Sequence, residues 1–403
     1  MKGLVLEGGG TKGAFQIGAY KALRDLGLEF QGVTGTSIGA LNGAYIIQND
    51  IEVMEDIWMT YDYTHFMDMD EESYNKYKNM DFTVKNVNSV IELINKAVRN
   101  EGIDISPLRK LLEKTLNEDA IRNSNKDFGL VTVWFDRKIF PQPLYIEDIP
   151  NGRLVDYLIA SASLPIFKLE RMDDKLYLDG MFFDNMPISL LAEKGYKDIV
   201  VVRLLDDFLG KRNLSRHSDI NIKTITPSEY LGGSLNKDKD NVEKNINLGY
   251  LDTMKAYNRY EGIKYYFNAD YKYDEAYCFN KFKSMNKESI ECILSLLNIK
   301  KDPTLRTLME NVIPKVGEML ELKKDFCYKD LFYCIYEKKL EETNINRVKL
   351  YDFNKVVDVV NKNFDSNKNL ASNFEVKPII SLQKNKMTKL LTNCFIKDFN
   401  SQI

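Results

Sequence analysis

The first 48 residues constrain this chain most, because they hold two short apolar runs that each break into a glycine-marked turn and then a helical stretch. Leu4 to Leu6 reads as a strand and is followed by Gly8-Gly9-Gly10-Thr11-Lys12-Gly13. After Gly13, Phe15, Ala19, Ala22 and Leu26 recur at helical spacing, with Lys21, Arg24 and Asp25 on the wet side. Val33 to Thr36 is the next strand, and Ile38 to Ile47 is apolar nearly all round, as a buried helix requires. Paired β-α units of this kind call for a layered sheet with helices on it.

The rest of the chain extends that pattern. From Trp58 to about residue 102 the sequence turns polar and rich in Tyr, Asn, Met and Asp, and reads as an insertion or cap over the core. Ser106-Pro107 offers an N-cap and first-turn proline for a helix carrying Leu108, Leu111, Leu112 and Leu116. Val131 to Phe135 reads as a buried strand, Val155 to Ala162 as a helix and Leu176 to Leu178 as a short strand. A helix from Pro187 and a strand at Ile199 to Val202 follow. The alternation predicts a mainly parallel, layered α/β sheet. Beyond residue 270 glycine becomes scarce, and Glu288 to Leu297, Leu305 to Leu322 and Leu331 to Leu340 read as helices. The expected division is therefore 1–270, with core motifs in 1–205, and a mostly helical extension at 271–403.

Composition narrows the function classes. With 44% hydrophobic and 29% charged residues the chain can build a core, and its 403 residues suit one large α/β domain with an appendage. A balance of 56 Lys and Arg against 59 Asp and Glu lacks the basic excess of a nucleic-acid binder. A mean hydropathy of -0.35 and the absence of a long apolar run argue against a transmembrane segment, leaving peripheral membrane contact. The opening Met1-Lys2-Gly3-Leu4 runs straight into the glycine turn without a signal-peptide pattern, so the expected address is the cytoplasm, signal-independent secretion aside. Five cysteines in the last third, with no CxxC pair, fit reduced thiols and no zinc site.

Two motifs carry chemistry. Gly8 to Gly13, between strand and helix, can aim successive amides at a phosphate or at a developing oxyanion. It also satisfies G-x-G-x-x-G, but the second strand ends in Thr36-Ser37 and lacks the acidic residue a dinucleotide site needs there. Gly35-Thr36-Ser37-Ile38-Gly39 is a G-x-S-x-G in strand-turn-helix context, which lifts a serine hydroxyl clear of a sheet; Gly35 and Gly39 supply the room. A nucleophilic serine needs a base. The two histidines, His65 and His217, lie in polar stretches, and a Ser37, Asp179, His217 triad is one reading. The other base is Asp179 itself, in Tyr177-Leu178-Asp179-Gly180-Met181, where apolar neighbours would make the carboxylate more basic.

The order Gly8 to Gly13, Ser37, Asp179-Gly180 resembles the patatin-like phospholipase family, lipid acyl hydrolases with a Ser–Asp dyad. Ala160-Ser161-Ala162-Ser163-Leu164-Pro165 and Asn185-Met186-Pro187 support it, over about residues 1–205 and on to about 268, through a Leu248-Gly249-Tyr250 helix. The resemblance implies a three-layer α/β/α core with Ser37 as nucleophile and Asp179 as general base. Gly8, Gly9, Gly10, Lys12 and Gly13 would form the oxyanion loop, with the amides of Gly9 and Gly10 as donors. Lys12 stands where many members have Arg, and Met181 where the family usually has Gly or Ala. The implied substrate is a phospholipid or other acyl ester at a membrane surface, and the chemistry calls for no metal or organic cofactor. The Met- and aromatic-rich stretch Trp58, Met59, Tyr61, Tyr63, Phe66 and Met67 reads as an interfacial surface or as a cap packed on the core. A His-dependent esterase or thioesterase, a nucleotide-binding module using the Gly8 to Gly13 loop, and a silent lipid-binding protein are the rival readings.

Overall fold

In the computed structural model, residues 1–81, 102–136, 138–169, 171–205, 219–342, 345–364 and 384–402 are described. They form two compact units, Met1–Ala256 and Tyr257–Ile403.

The first unit is built on an eight-stranded sheet. Its strands are β1 (Lys2–Leu6), β2 (Gly32–Thr36), β3 (Asp127–Asp136), β4 (Lys138–Tyr145), β5 (Arg171–Met172), β6 (Lys175–Asp179), β7 (Asp198–Val202) and β8 (Asn221–Ile225). The order is β5-β6-β3-β2-β1-β7-β8, with β4 also paired to β3. The block β3-β2-β1-β7-β8 is parallel throughout, whereas β4, β5 and β6 add antiparallel pairs at one side. Alternate residues of the strands feed opposite layers. Val5, Ile199 and Val201 pack with Ile188 and Leu191 of the helix Ile188–Glu193. On the other face α2 (Ile38–Ile47) lies close enough that Gly43 meets Val33 and Phe128. All but one residue of α2 are buried, which its unbroken apolar composition anticipates. α1 (Ala14–Asp25) packs against the helix Lys239–Ala256 with near backbone contact, and Tyr250 donates to Asp25 at 2.9 Å.

Differences from the sequence reading have local causes. Strand β4 carries Pro141 and Pro143, which argue against a central strand; it is an edge strand, and its prolines pair with Val133 and Val131 with their nitrogens free of any ladder duty. Ser106 is the first helical residue of Ser106–Thr115 and not its cap, because Asp104 accepts its amide at 2.7 Å. Leu305 to Leu322 is interrupted by a wide π-turn at Leu308–Val312, ahead of Pro314, and resumes as Ile313–Met319. Of the stretch read as a cap, 82–101 lie outside the described residues. The remainder forms α3 (Ile51–Thr60) and the helix Glu71–Tyr77.

The division at Ala256–Tyr257 falls ahead of the 270 expected, because β9 (Tyr260–Glu261) and β10 (Tyr266–Asn268) join β11 (Leu350–Tyr351) in a small sheet of the second unit. That unit is otherwise helical around an aromatic core in which Phe353 meets Phe267, Tyr273, Phe332 and Tyr333. The five cysteines are unbridged thiols, with Cys278 and Cys334 buried. No described helix is long and apolar enough to cross a membrane.

Candidate active site

Strand register brings the two candidate catalytic residues together. β4 occupies one edge of β3 from Gly129 to Asp136, so β2 and β6 must share the other. β2 pairs with Asp127 to Val131 and ends with Thr36 opposite Val131; β6 pairs with Thr132 to Phe135 and ends with Asp179 opposite Thr132. One strand runs parallel and the other antiparallel to β3, so their C-terminal ends meet head to head. Ser37 and Asp179 therefore emerge at one point and line one cleft, with Gly8, Gly9, Gly10, Leu164 and Asn185 around it.

Ser37 sits at the strand-to-helix turn with φ 55° and ψ -126°, a region that costs a non-glycine residue roughly 1–3 kcal/mol. The surroundings hold it there. Its amide donates to Ser161 Oγ at 2.9 Å, Ser161 Oγ donates to the Val131 carbonyl at 2.7 Å, and the Ser37 carbonyl accepts from Ala40 at 2.9 Å. The elbow glycines are steric necessities. A Cβ on Gly39 would lie 2.2 Å from the Leu6 carbonyl oxygen, and one on Gly35 would lie 2.4 Å from the Gly39 backbone. We expect Gly39→Ala to lower stability by at least about 2 kcal/mol in denaturant melts, since backbone on both sides blocks relaxation. Gly152→Ala, at φ 78° with nothing within 4 Å, should cost only about 1 kcal/mol, and equal losses would refute this account of the elbow.

Asp179 is fully buried. Its Oδ1 accepts the Met181 amide at 2.8 Å and its own amide donates to the Ser163 carbonyl at 2.9 Å. Oδ2 is buried with no hydrogen-bond partner. Burial pushes the Asp179 carboxyl up to about 7, against the lowering influences of the Met181 amide and, least, the Ser37 hydroxyl. The serine is thus near enough to be felt, although no hydrogen bond to Oδ2 is formed in the resting site.

The glycine loop divides unevenly. The Gly8 amide donates to the Asn185 carbonyl at 3.1 Å and the Thr11 amide to the Ser234 carbonyl at 2.9 Å. Among the described residues no hydrogen bond engages the intervening amides of Gly9 and Gly10. Gly10 has φ 62°, and a Cβ there would lie 2.1 Å from the Ser234 carbonyl. Lys12 is buried and turned to Asp81 at 2.6 Å, so its charge is neutralised outside the cleft. Gly13 also stands away from the cleft, its carbonyl accepting from Asn42 at 3.0 Å. His65 is an exposed partner of Asp62 stacked on Tyr61, and His217 lies outside the described residues.

Three contributors have roles that the sequence reading does not assign: Ser161 and Asn185 appear there only within supporting motifs, and Glu7 not at all. Ser161 anchors the elbow. Asn185 clamps Gly8 from both sides, its Nδ2 donating to the Gly8 carbonyl at 3.0 Å. Glu7 is buried, lies 3.6 Å from Arg203, and accepts the amides of Leu204 at 2.6 Å and Leu205 at 3.0 Å. A charged residue wedged between an apolar strand and the glycines is the one available signal for it.

An apolar pocket of about 90 Å³, partly open to solvent, shares Gly10, Ser37, Leu164 and Ser234 with the cleft that holds Ser37 and Asp179. Its walls include Leu41, Tyr45, Met54, Leu111 and Leu112. Trp58, Phe66 and Met67 of the aromatic stretch belong to this wall, with Trp58 and Met67 buried. Lys237 ties the wall together: its Nζ donates to the Trp58 carbonyl at 2.6 Å and the Tyr61 carbonyl at 2.5 Å. Burial pulls its pKa down to about 8.

The family model of the patatin-like phospholipases matches residues 4–192. Patatin-like phospholipase domain-containing protein 7 of Rattus norvegicus is 24% identical over 207 residues, covering 49% of this chain and 13% of that protein. The Mus musculus counterpart matches with the same identity and coverage. Lysophospholipase nte1 of Aspergillus terreus is 55% identical over 42 residues, 10% of this chain and 3% of that protein. The chain thus spans only a small part of these curated relatives. Among solved structures, VipD from Legionella pneumophila is 14% identical with a TM-score of 0.41, covering 100% of this chain and 85% of that one. The type III effector protein ExoU is 13% identical with a TM-score of 0.32, covering 89% and 69%.

Proposed function

Because residues 4–192 carry a patatin-like phospholipase domain, we propose that this chain is a serine lipid acyl hydrolase working through Ser37 and Asp179. The observation that carries the reading is the meeting of a strained serine and a fully buried, partly unpartnered carboxylate at the head-to-head ends of β2 and β6. Asp179 Oδ2 accepts the Ser37 proton, and the alkoxide attacks the ester carbonyl to form a tetrahedral oxyanion. The amides of Gly9 and Gly10 are the donors available to it; one such donor is typically worth about 100- to 1,000-fold in rate. Asp179 then gives its proton to the departing alcohol, and an acyl group remains on Ser37. A water that loses its proton to Asp179 frees the fatty acid and restores the serine.

The substrate class follows from the apolar pocket beside Ser37, whose lining is mostly hydrophobic and aromatic, as in pockets that take apolar ligands. Its wall is suited to a fatty-acyl chain, with the ester at the dyad and the head group toward solvent. A phospholipid or lysophospholipid at a membrane surface is the substrate of this reading. Fatty-acid release from phospholipid vesicles and short-chain esters, followed by mass spectrometry, tests it directly; no release from any ester would leave only a lipid-binding role. His217→Ala should leave the rate unchanged, whereas loss of activity would favour the Ser37, Asp179, His217 triad.

The base must be ionised to act. With the Asp179 carboxyl at about 7, kcat/KM should rise about tenfold per pH unit below neutrality and level off above it. A profile flat from pH 5 to 8, under conditions where the fold is intact, would exclude Asp179 as the titrating base.

A further inference from the structure

The segment Ser163–Leu169 lies between the apolar pocket, which Leu164 and Phe167 line, and a second cavity of about 170 Å³, which Ser163 and Lys168 line. This second cavity is walled by the helix Ser106–Thr115, one side of the helix Leu154–Ser161 and the β5-β6 hairpin. We propose that it binds a phosphate-bearing anion, a role separate from the ester hydrolysis argued above.

Charge is the first reason. Among the described residues, Arg109, Arg153, Lys168 and Arg171 line the cavity against two carboxylates, Asp156 and Asp173. Asp156 takes Arg109 Nη1 at 2.5 Å and also Arg153 Nε, and Asp173 lies 3.6 Å from Arg153 Nη1. Both carboxylates are therefore spent on two arginines. Lys168 and Arg171 are in no ion pair among the described residues; Arg171 donates only to the Asp174 carbonyl at 3.2 Å. Asp104, whose carboxyl Lys168 helps to lower, is already hydrogen-bonded to the Ser106 amide at 2.7 Å.

Geometry is the second. Asp156 and Asp173 together fix the guanidinium plane of Arg153 in the cavity wall, beside Lys168 and Arg171. Planar donor forks match phosphate oxygens, and the charge surplus matches a phosphomonoester, which carries about -1.5 to -2 at neutral pH. The phenol-bearing Tyr177 forms part of the same wall. Position is the third reason. An anion there would brace Ser163–Leu169, whose Ser163 carbonyl accepts the Asp179 amide and whose Leu164 lines the dyad cleft.

The full-length chain carrying Ser37→Ala, so that no substrate is consumed, is mixed with phosphatidylcholine vesicles with and without phosphatidic acid, and separately with inorganic pyrophosphate. Binding is read by co-sedimentation and by calorimetry. Lys168→Gln with Arg171→Gln is compared with Lys287→Gln and Lys301→Gln, an equal charge change in the second unit. The proposal expects saturable binding weakened about tenfold or more by the cavity pair and left intact by the control pair. Binding confined to phosphatidic acid vesicles would identify a lipid head group as the source, and pyrophosphate binding alone a soluble phosphate compound. Binding to neither probe, or equal loss in both variant pairs, would overturn the site. Because turnover is absent throughout, these outcomes are independent of the proposed hydrolase activity.

Discussion

Ser37→Ala should reduce fatty-acid release by about a million-fold in kcat, to the level left by binding and the oxyanion donors alone. Ser234 also borders the cleft, but its backbone carbonyl is committed to Thr11, and it occupies no strand-to-helix elbow. The variant should stay folded, since the amide that Ser161 anchors is retained and only the hydroxyl is removed. Ser37→Gly refines the test. Glycine adopts φ 55° without penalty, so this variant should be as inactive as alanine yet more stable than it by about 1 kcal/mol. The measurements are acyl release by mass spectrometry and denaturant midpoints for the three proteins. Residual activity of more than about one part in a thousand in both variants would remove Ser37 from the nucleophile's role.

Asp179→Asn should cut kcat by about 10,000-fold and at the same time stabilise the fold at neutral and alkaline pH. The Met181 amide can still be accepted by the carboxamide oxygen, so the local turn survives while the base is lost. The stability sign follows from proton counts. The folded carboxyl titrates near 7 and the unfolded one near its ordinary 3.8, so between those values the folded state binds more protons. Stability therefore falls as pH rises through that window, and the loss is complete above 7. Each tenfold difference in proton affinity between the two states is worth about 1.36 kcal/mol, so the penalty at pH 8 is at most about 4 kcal/mol. Asparagine cannot ionise and escapes it, so the variant should gain on wild type steadily from pH 4 to 7. A stability difference independent of pH would contradict the buried, unpaired carboxylate, and full activity would contradict the dyad.

These two substitutions fall on opposite sides of what a sequence makes legible. The elbow around Ser37 is legible because its requirements are local: a tight strand-to-helix turn needs small neighbours, and Gly35 and Gly39 stand beside the serine in the chain. Asp179-Gly180 is legible only as a candidate, since an Asp-Gly pair suits any turn. The expectation for Lys12 comes from its place in the glycine loop, and nothing near it in the sequence points to Asp81 as the partner that draws its charge away. Strand β4 stays hidden because Pro141 and Pro143 are acceptable only at a sheet edge, and edge position is a property of the assembled sheet.

The β-α order of the first unit, the two glycine-marked turns and the serine at the second of them are legible in the chain, because strand length, helical spacing and turn sterics act over a few neighbouring residues. That β2 and β6 share one edge of β3, and so bring Ser37 to Asp179, follows from the assembled sheet. The same assembly buried that carboxylate, left the amides of Gly9 and Gly10 unengaged among the described residues and opened the apolar pocket beside the serine. Register and burial are sums over segments distant in the chain, and those sums set both the basicity of Asp179 and the shape of what can approach it.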